Sequence, residues 1–168
     1  MARRVSAFCL GLCLFLNLGA AAAKAGDLEV AVLDEINFAR TNPAAYARDM
    51  MRQPASYGRG YAQSFAEQDP DAFEEAISFL MRQQPLAPLS DDTRLDAAAR
   101  DHAAAQGPTG AVGHDSRGSD PAQRMRRRGV WAGLAAENIS YGYRTPREVV
   151  QQLIVDSGVP GRGHRQNL

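Results

Sequence analysis

At 168 residues, the chain is the size of one ordinary domain and long enough to bury a real core. Its 19 basic and 19 acidic side chains balance, so it has no general pull toward nucleic acid or anionic lipid. Only two cysteines occur, which argues against a disulfide-built scaffold.

The N-terminus reads as an export signal over residues 1–25. Arg3 and Arg4 form a positive start, Val5 to Leu18 an apolar stretch, and Ala23-x-Ala25 a small-residue cleavage site. The apolar stretch is short for a membrane span, which needs about 20 residues. Both cysteines, Cys9 and Cys13, lie inside the signal, so the mature domain, 26–168, is expected to pack without disulfides. Removing Arg3, Arg4 and Lys24 lowers the 19 basic residues to 16 against 19 acids, a net charge of −3, and every remaining basic residue is arginine. The expected location is secreted or periplasmic, with no stable membrane anchor after cleavage.

The mature chain reads as a succession of short helices. Leu28, Val32, Ile36 and Ala39 recur at helical spacing behind a capping Asp27. Asn42-Pro43 restarts the chain as cap and first turn, opening a helix to about Arg52. Residues 54–68 mix Gly, Ser, Tyr and Pro and read as a loop. Asp69-Pro70 repeats the cap-then-proline signal, and Phe73, Ala76, Ile77, Leu80 and Met81 follow on one face before Pro85 and Pro88. Ser90 or Asp91 opens the next helix, whose buried stripe is Leu95, Ala98, Ala99 and His102, and Gly107-Pro108 stops it. Asp120-Pro121 opens a short basic helix ending at Gly129. Ala136 to Tyr143 lacks helical period and reads as a short strand. Thr145-Pro146-Arg147-Glu148 is a capping box for an amphipathic helix to about Val155. A glycine- and proline-rich loop then runs to His164 and Leu168.

Several segments carry a resemblance, in order along the chain. Leu33 to Pro43, Leu95 to Gln106, Gly113-His114, Ala136-Glu137-Asn138-Ile139 and Gly163-His164-Arg165-Gln166-Asn167 together resemble the bacterial branch of the CAP superfamily (cysteine-rich secretory, antigen 5 and pathogenesis-related 1 proteins). The resemblance implies an α+β fold, a helix-rich α-β-α sandwich around a small antiparallel sheet. It also implies a cleft tetrad of two histidines and two acids, which falls on His114, Glu137, Asp156 and His164. Asp156 stands where the family more often has glutamate. Asn138 and Arg165 are expected to hold the site loops by hydrogen bonds. The family continues beyond the second histidine motif into two strands, so the sheet is expected to lack its C-terminal strands here.

Two imidazoles and two carboxylates are a ligand set that suits a divalent metal such as zinc, with His114 and His164 as the ligands. Taken singly, each histidine reads as an ordinary solvated loop residue. Asp156 ends a helix, where negative charge opposes the dipole: either a histidine, cation or ligand faces it, or it is a solvated aspartate in the turn before Gly158. Glu137 lies in apolar surroundings and needs a partner. His102, on an apolar stripe, reads as a hydrogen-bonded core residue, and the arginines at 124, 126, 127 and 128 as a solvated helix end.

The first functional expectation is a secreted binding domain whose cleft holds a small apolar ligand or a cell-envelope component. The second is a metal-assisted hydrolase with Glu137 as general base, although no Gly-x-Ser-x-Gly elbow and no His-Glu-x-x-His helix occurs. The third is a structural cell-envelope protein with a vestigial site.

Overall fold

A computed structural model describes residues 28–55 and 63–168. The expected export signal, the Asp27 cap and part of the 54–68 loop lie outside the described residues. Helix α1 covers 28–41, and α2 follows after one residue, at Pro43–Arg52. Pro43 occupies the first turn, where a missing N–H costs nothing. Asn42 makes no side-chain cap, however: its amide turns back to Thr41 Oγ1 at 2.8 Å.

The expected loop contains a short helix, α3 at Phe65–Gln68, which puts Phe65 into the core. Helix α4, Pro70–Arg82, starts as its sequence signal predicts, with Asp69 accepting from the Ala72 amide at 3.1 Å. Its face of Ala72, Phe73, Ala76 and Leu80 lies along α2 and buries Tyr46, Ala47 and Met50. Helix α7, Pro146–Val155, closes this core with Val150, Ile154 and Val155. Each fully buried side chain of Met or Val size contributes about 1.5–3 kcal/mol against remaining in water. Arg147 ties α7 to α2 through Asp49 at 2.5 Å, which holds the Asp49 carboxyl below its ordinary range.

Helices α5 (Thr93–Gln106) and α6 (Pro121–Arg127) pack on each other beside that core. Asp92, not Ser90 or Asp91, caps α5, accepting from the Arg94 amide at 2.9 Å. The buried face of α5 is Ala98, His102 and Gln106, whereas Leu95 is exposed. Of the expected stripe, Ala98 and His102 are buried while Leu95 and Ala99 are exposed, and Gln106 extends the buried face by one turn.

Between the two packed groups runs the segment 136–143, expected as a strand. It carries no ladder, and the described residues contain no extended strand; an isolated antiparallel bridge joins Ser116 and Ser119. A strand needs a neighbour to take its backbone groups. This segment is held by side chains instead: Asn138 on the His164 carbonyl, Tyr141 on Gln106, and Tyr143 packed on the core. The chain ends in a 3-10 turn, Pro160–Arg162, and α8, Gly163–Asn167, where a loop was expected. Among the described residues no helix is long and apolar enough to cross a membrane.

Candidate functional site: two histidine–carboxylate dyads

His114 follows Gly113 on the loop after α5. Gly113 has φ 105, open to glycine alone at little cost. Its carbonyl is gripped from α5 by His102 Nε2 at 2.9 Å and Gln106 Nε2 at 2.7 Å, and its amide donates to the Tyr141 hydroxyl at 2.9 Å. A carbonyl only accepts, so His102 carries its proton on Nε2 when neutral, and Nδ1 accepts from Ser116 Oγ at 2.8 Å. His102 is thus a buried, doubly bonded histidine with no nitrogen to spare.

His114 itself places Nδ1 3.0 Å from Glu137 Oε1. The other oxygen, Oε2, accepts from Arg124 at 2.5 Å. Arg124 is buried and also donates to the carbonyls of His114 at 2.7 Å and Ser119 at 3.1 Å. The expectation of a solvated arginine run is thus corrected at Arg124, while Arg126, Arg127 and Arg128 are exposed. Helical side chains lean toward the N-terminus, and Arg124, one turn into α6, leans over the 114–119 loop that precedes it. Arg127 bonds Ser119 Oγ and Arg128 pairs with Asp101, leaving Arg126 as the exposed member without a side-chain hydrogen bond or ion pair among the described residues.

The second dyad is built within one loop. Asp156 is the C-cap of α7 in the left-handed region, φ 54 and ψ 42, and is fully buried. Its Oδ1 faces His164 Nδ1 at 2.7 Å, and its Oδ2 accepts the His164 amide at 2.9 Å and the Arg165 amide at 3.4 Å. The carboxylate that ends α7 therefore sits on the first amides of α8, where negative charge is favoured. Its own carbonyl accepts from Arg162 at 2.7 Å. Arg165 is buried, bonded to the carbonyls of Ile154 (2.5 Å) and Val155 (2.9 Å) and to Glu75 (2.7 Å), and stacked over Phe79. Glu75 bonds Arg162 as well, and the two guanidiniums, Arg162 foremost, hold its carboxyl below the ordinary glutamate range.

The dipeptide Glu137-Asn138 joins the dyads. Glu137 bonds His114, while Asn138 Nδ2 bonds the His164 carbonyl at 2.9 Å and its Oδ1 accepts from Asn167 at 2.8 Å. A carboxylate cannot donate, so both site histidines carry the proton on Nδ1 and, when neutral, present Nε2 as a lone pair. His114 is about half exposed and His164 about a quarter. The carboxylates are otherwise committed. Among the described residues no group of three or more His, Cys, Asp or Glu side chains is arranged to hold a metal ion. The donors left are two imidazole nitrogens, one on each dyad, too few for a closed four-ligand zinc site.

A family model described as the cysteine-rich secretory protein family, CAP, matches residues 33–168, and the chain belongs to that family. No curated protein and no solved structure matches it.

Proposed function

We propose that this chain is a secreted CAP protein of the bacterial type that acts as a binding domain, seating the polar end of a ligand on the imidazoles of His114 and His164. The supporting observation is that each imidazole spends Nδ1 on a carboxylate and keeps Nε2 open, while Glu137-Asn138 bonds to both dyads. The carboxylate behind each imidazole fixes its tautomer and orientation, as in histidines that ligate metals. A divalent ion held by the two Nε2 atoms would supply a fixed positive charge for an anionic or carbonyl-bearing ligand. The small antiparallel sheet implied by the resemblance has its best candidate strand in 136–143.

The hydrolase alternative is weaker on the same geometry. Glu137 has one oxygen on His114 and the other on Arg124, so it is poorly placed to take a proton from water. A vestigial site, by contrast, predicts no concerted behaviour of the two histidines.

Nitrogen-15 spectra of the histidines test the proposal, with zinc as the probe. Both site imidazoles are expected as the Nδ1–H tautomer, and zinc is expected to shift both Nε2 signals together with one affinity and one ion per chain. A response from one imidazole alone, or from neither, rejects the shared cleft.

A further inference from the structure

Three arginines from two elements gather round one carboxylate. Arg128 grips Asp101 of α5 through contacts of 2.9, 2.6 and 2.6 Å. Arg127 and Arg117 act on the same carboxyl from further off, and the three, Arg128 foremost, hold it below the ordinary aspartate range. Arg127 also bonds Ser119 Oγ, at the end of the turn that carries Arg117. All three arginines are exposed.

The helix dipole accounts for cations at the end of α6, but Arg117 is not on a helix. Ser116 and Ser119 exchange backbone hydrogen bonds at 3.1 and 2.9 Å, and the residues between them, Arg117 and Gly118, have φ 49 and 69. A two-residue turn with both φ values positive favours Asn-Gly, Asp-Gly or Gly-Gly. Arginine meets the steric cost of the left-handed region without the local hydrogen bond that asparagine can make. Its guanidinium has no hydrogen bond or ion pair among the described residues. A charge thus stands where the backbone alone would favour asparagine, and it faces the same way as Arg127 and Arg128.

The surroundings restrict the partner. Asp115 and Asp120 flank the turn, but Asp120 caps the N-terminus of α6, roughly 10 Å along the helix from Arg127. The exposed Trp131 shares a groove with Ala122, Met125 and Arg126. Arg127 and Arg128 leave α6 about 100° and 200° round from Arg126. The arginine face therefore lacks an aromatic platform for bases and an apolar anchor for a bilayer. It offers closely spaced planar forks, which suit phosphate oxygens.

We infer that Arg117, Arg127 and Arg128 form a docking face for a linear phosphate polymer, one with a charge on every unit, so that several charges land on the face together. The histidine dyads take no part in it.

Inorganic polyphosphate labelled at one end is the probe, and its fluorescence anisotropy reads binding to the full chain. Binding is expected to saturate and to weaken with salt, with a log–log slope of about 2 for three contacts. Arg117→Asn removes the charge and suits the left-handed backbone. It is expected to weaken binding about fivefold and to lower the slope by about 0.7, with thermal stability unchanged or raised. Asp101→Asn removes the competing carboxylate and frees Arg128, so binding should tighten about threefold. Arg126→Gln, on the other face of α6, should change affinity by less than about twofold. The inference is overturned if binding is absent or insensitive to salt, or if Arg117→Asn binds as tightly as the unaltered chain. Displacement of the probe by inorganic phosphate at equal phosphate concentration would overturn it as well, leaving an adventitious ion only. So would tighter binding of a single-stranded oligonucleotide of equal charge, or of phosphatidylglycerol vesicles, which would assign the surface to nucleic acid or to a bilayer.

Discussion

In the His114–Glu137 dyad the partners lie 23 residues apart, the carboxylate sits on an irregular segment, and a buried arginine from a third element holds it. In the His164–Asp156 dyad the partners lie eight apart within one turn of chain, and backbone amides take the place of the arginine. Both give the same result, an imidazole with Nδ1 bonded to a carboxylate. The local version closes a short loop at low entropic cost and forms with the α7–α8 corner. The distant version depends on α5, α6 and 136–143 all being in place. We therefore expect the His114 side to be the more easily broken by a single change away from the histidine, and the His164 side to be broken only at the carboxylate.

The largest effect is expected from Arg124→Met. It leaves Glu137 without its cation and strands the carbonyls of His114 and Ser119, which costs about 3 kcal/mol. Urea denaturation measures this. Adding Glu137→Gln to the same chain should restore about 1 kcal/mol or more, since the unpaired charge is then gone. If Arg124→Met shifts stability by less than about 0.5 kcal/mol, a range ordinary for surface changes, the arginine is not what holds the distant dyad.

Asp156→Asn tests the local dyad with a smaller expected loss, about 1–2 kcal/mol, because asparagine tolerates the left-handed backbone and can still accept from the α8 amides. Its amide nitrogen then faces His164 Nδ1 and donates to it. The imidazole must switch to the Nε2–H tautomer, so zinc should lose His164 while His114 keeps its own Nδ1–H form. Nitrogen-15 shifts read both outcomes. Retention of the Nδ1–H tautomer at His164 would show that the carboxylate does not set it.

This contrast also explains what could be read from residues alone. Helix starts were legible at Asp69-Pro70, Asp120-Pro121 and Thr145-Pro146 because capping is decided within three or four residues, and all three caps form. The conflict of Asp156 with a helix dipole was legible for the same reason, but it left a facing partner and a solvated turn aspartate equally open, and His164 is what decides it. Arg124 was not, since its partners come from loops 5, 10 and 13 residues away and nothing in a run of arginines marks which one turns inward. The lean of helical side chains toward the N-terminus was the one signal available. The segment 136–143 carries no ladder for a related reason: isoleucine and tyrosine without helical period suit a strand, but a ladder is a property of two segments. The helix at 163–167 was hidden by the glycines at 158, 161 and 163, and the amide partner that supports it is Asp156, eight residues before His164.

The smallest effect, and the finest test of the comparison, lies at Glu75. It bonds both Arg162 and Arg165, the residues that flank His164, and they depress its carboxyl below the ordinary value of about 4.5. A depressed carboxyl contributes stability that is fully present above its unfolded value and is lost as pH falls through its folded one. About half of this side chain is exposed, so solvent screening keeps the contribution under about 1 kcal/mol. Glu75→Gln should therefore lower stability slightly at neutral pH, and its deficit against the unaltered chain should close as pH falls below about 4.5. Because Arg165 also bonds the Ile154 and Val155 carbonyls, it should stay in place in this variant, and the zinc response of His164 should not change. A loss of that response would mean that the His164 corner, like the His114 one, hangs on a distant charge, and the distinction between the two dyads would fail.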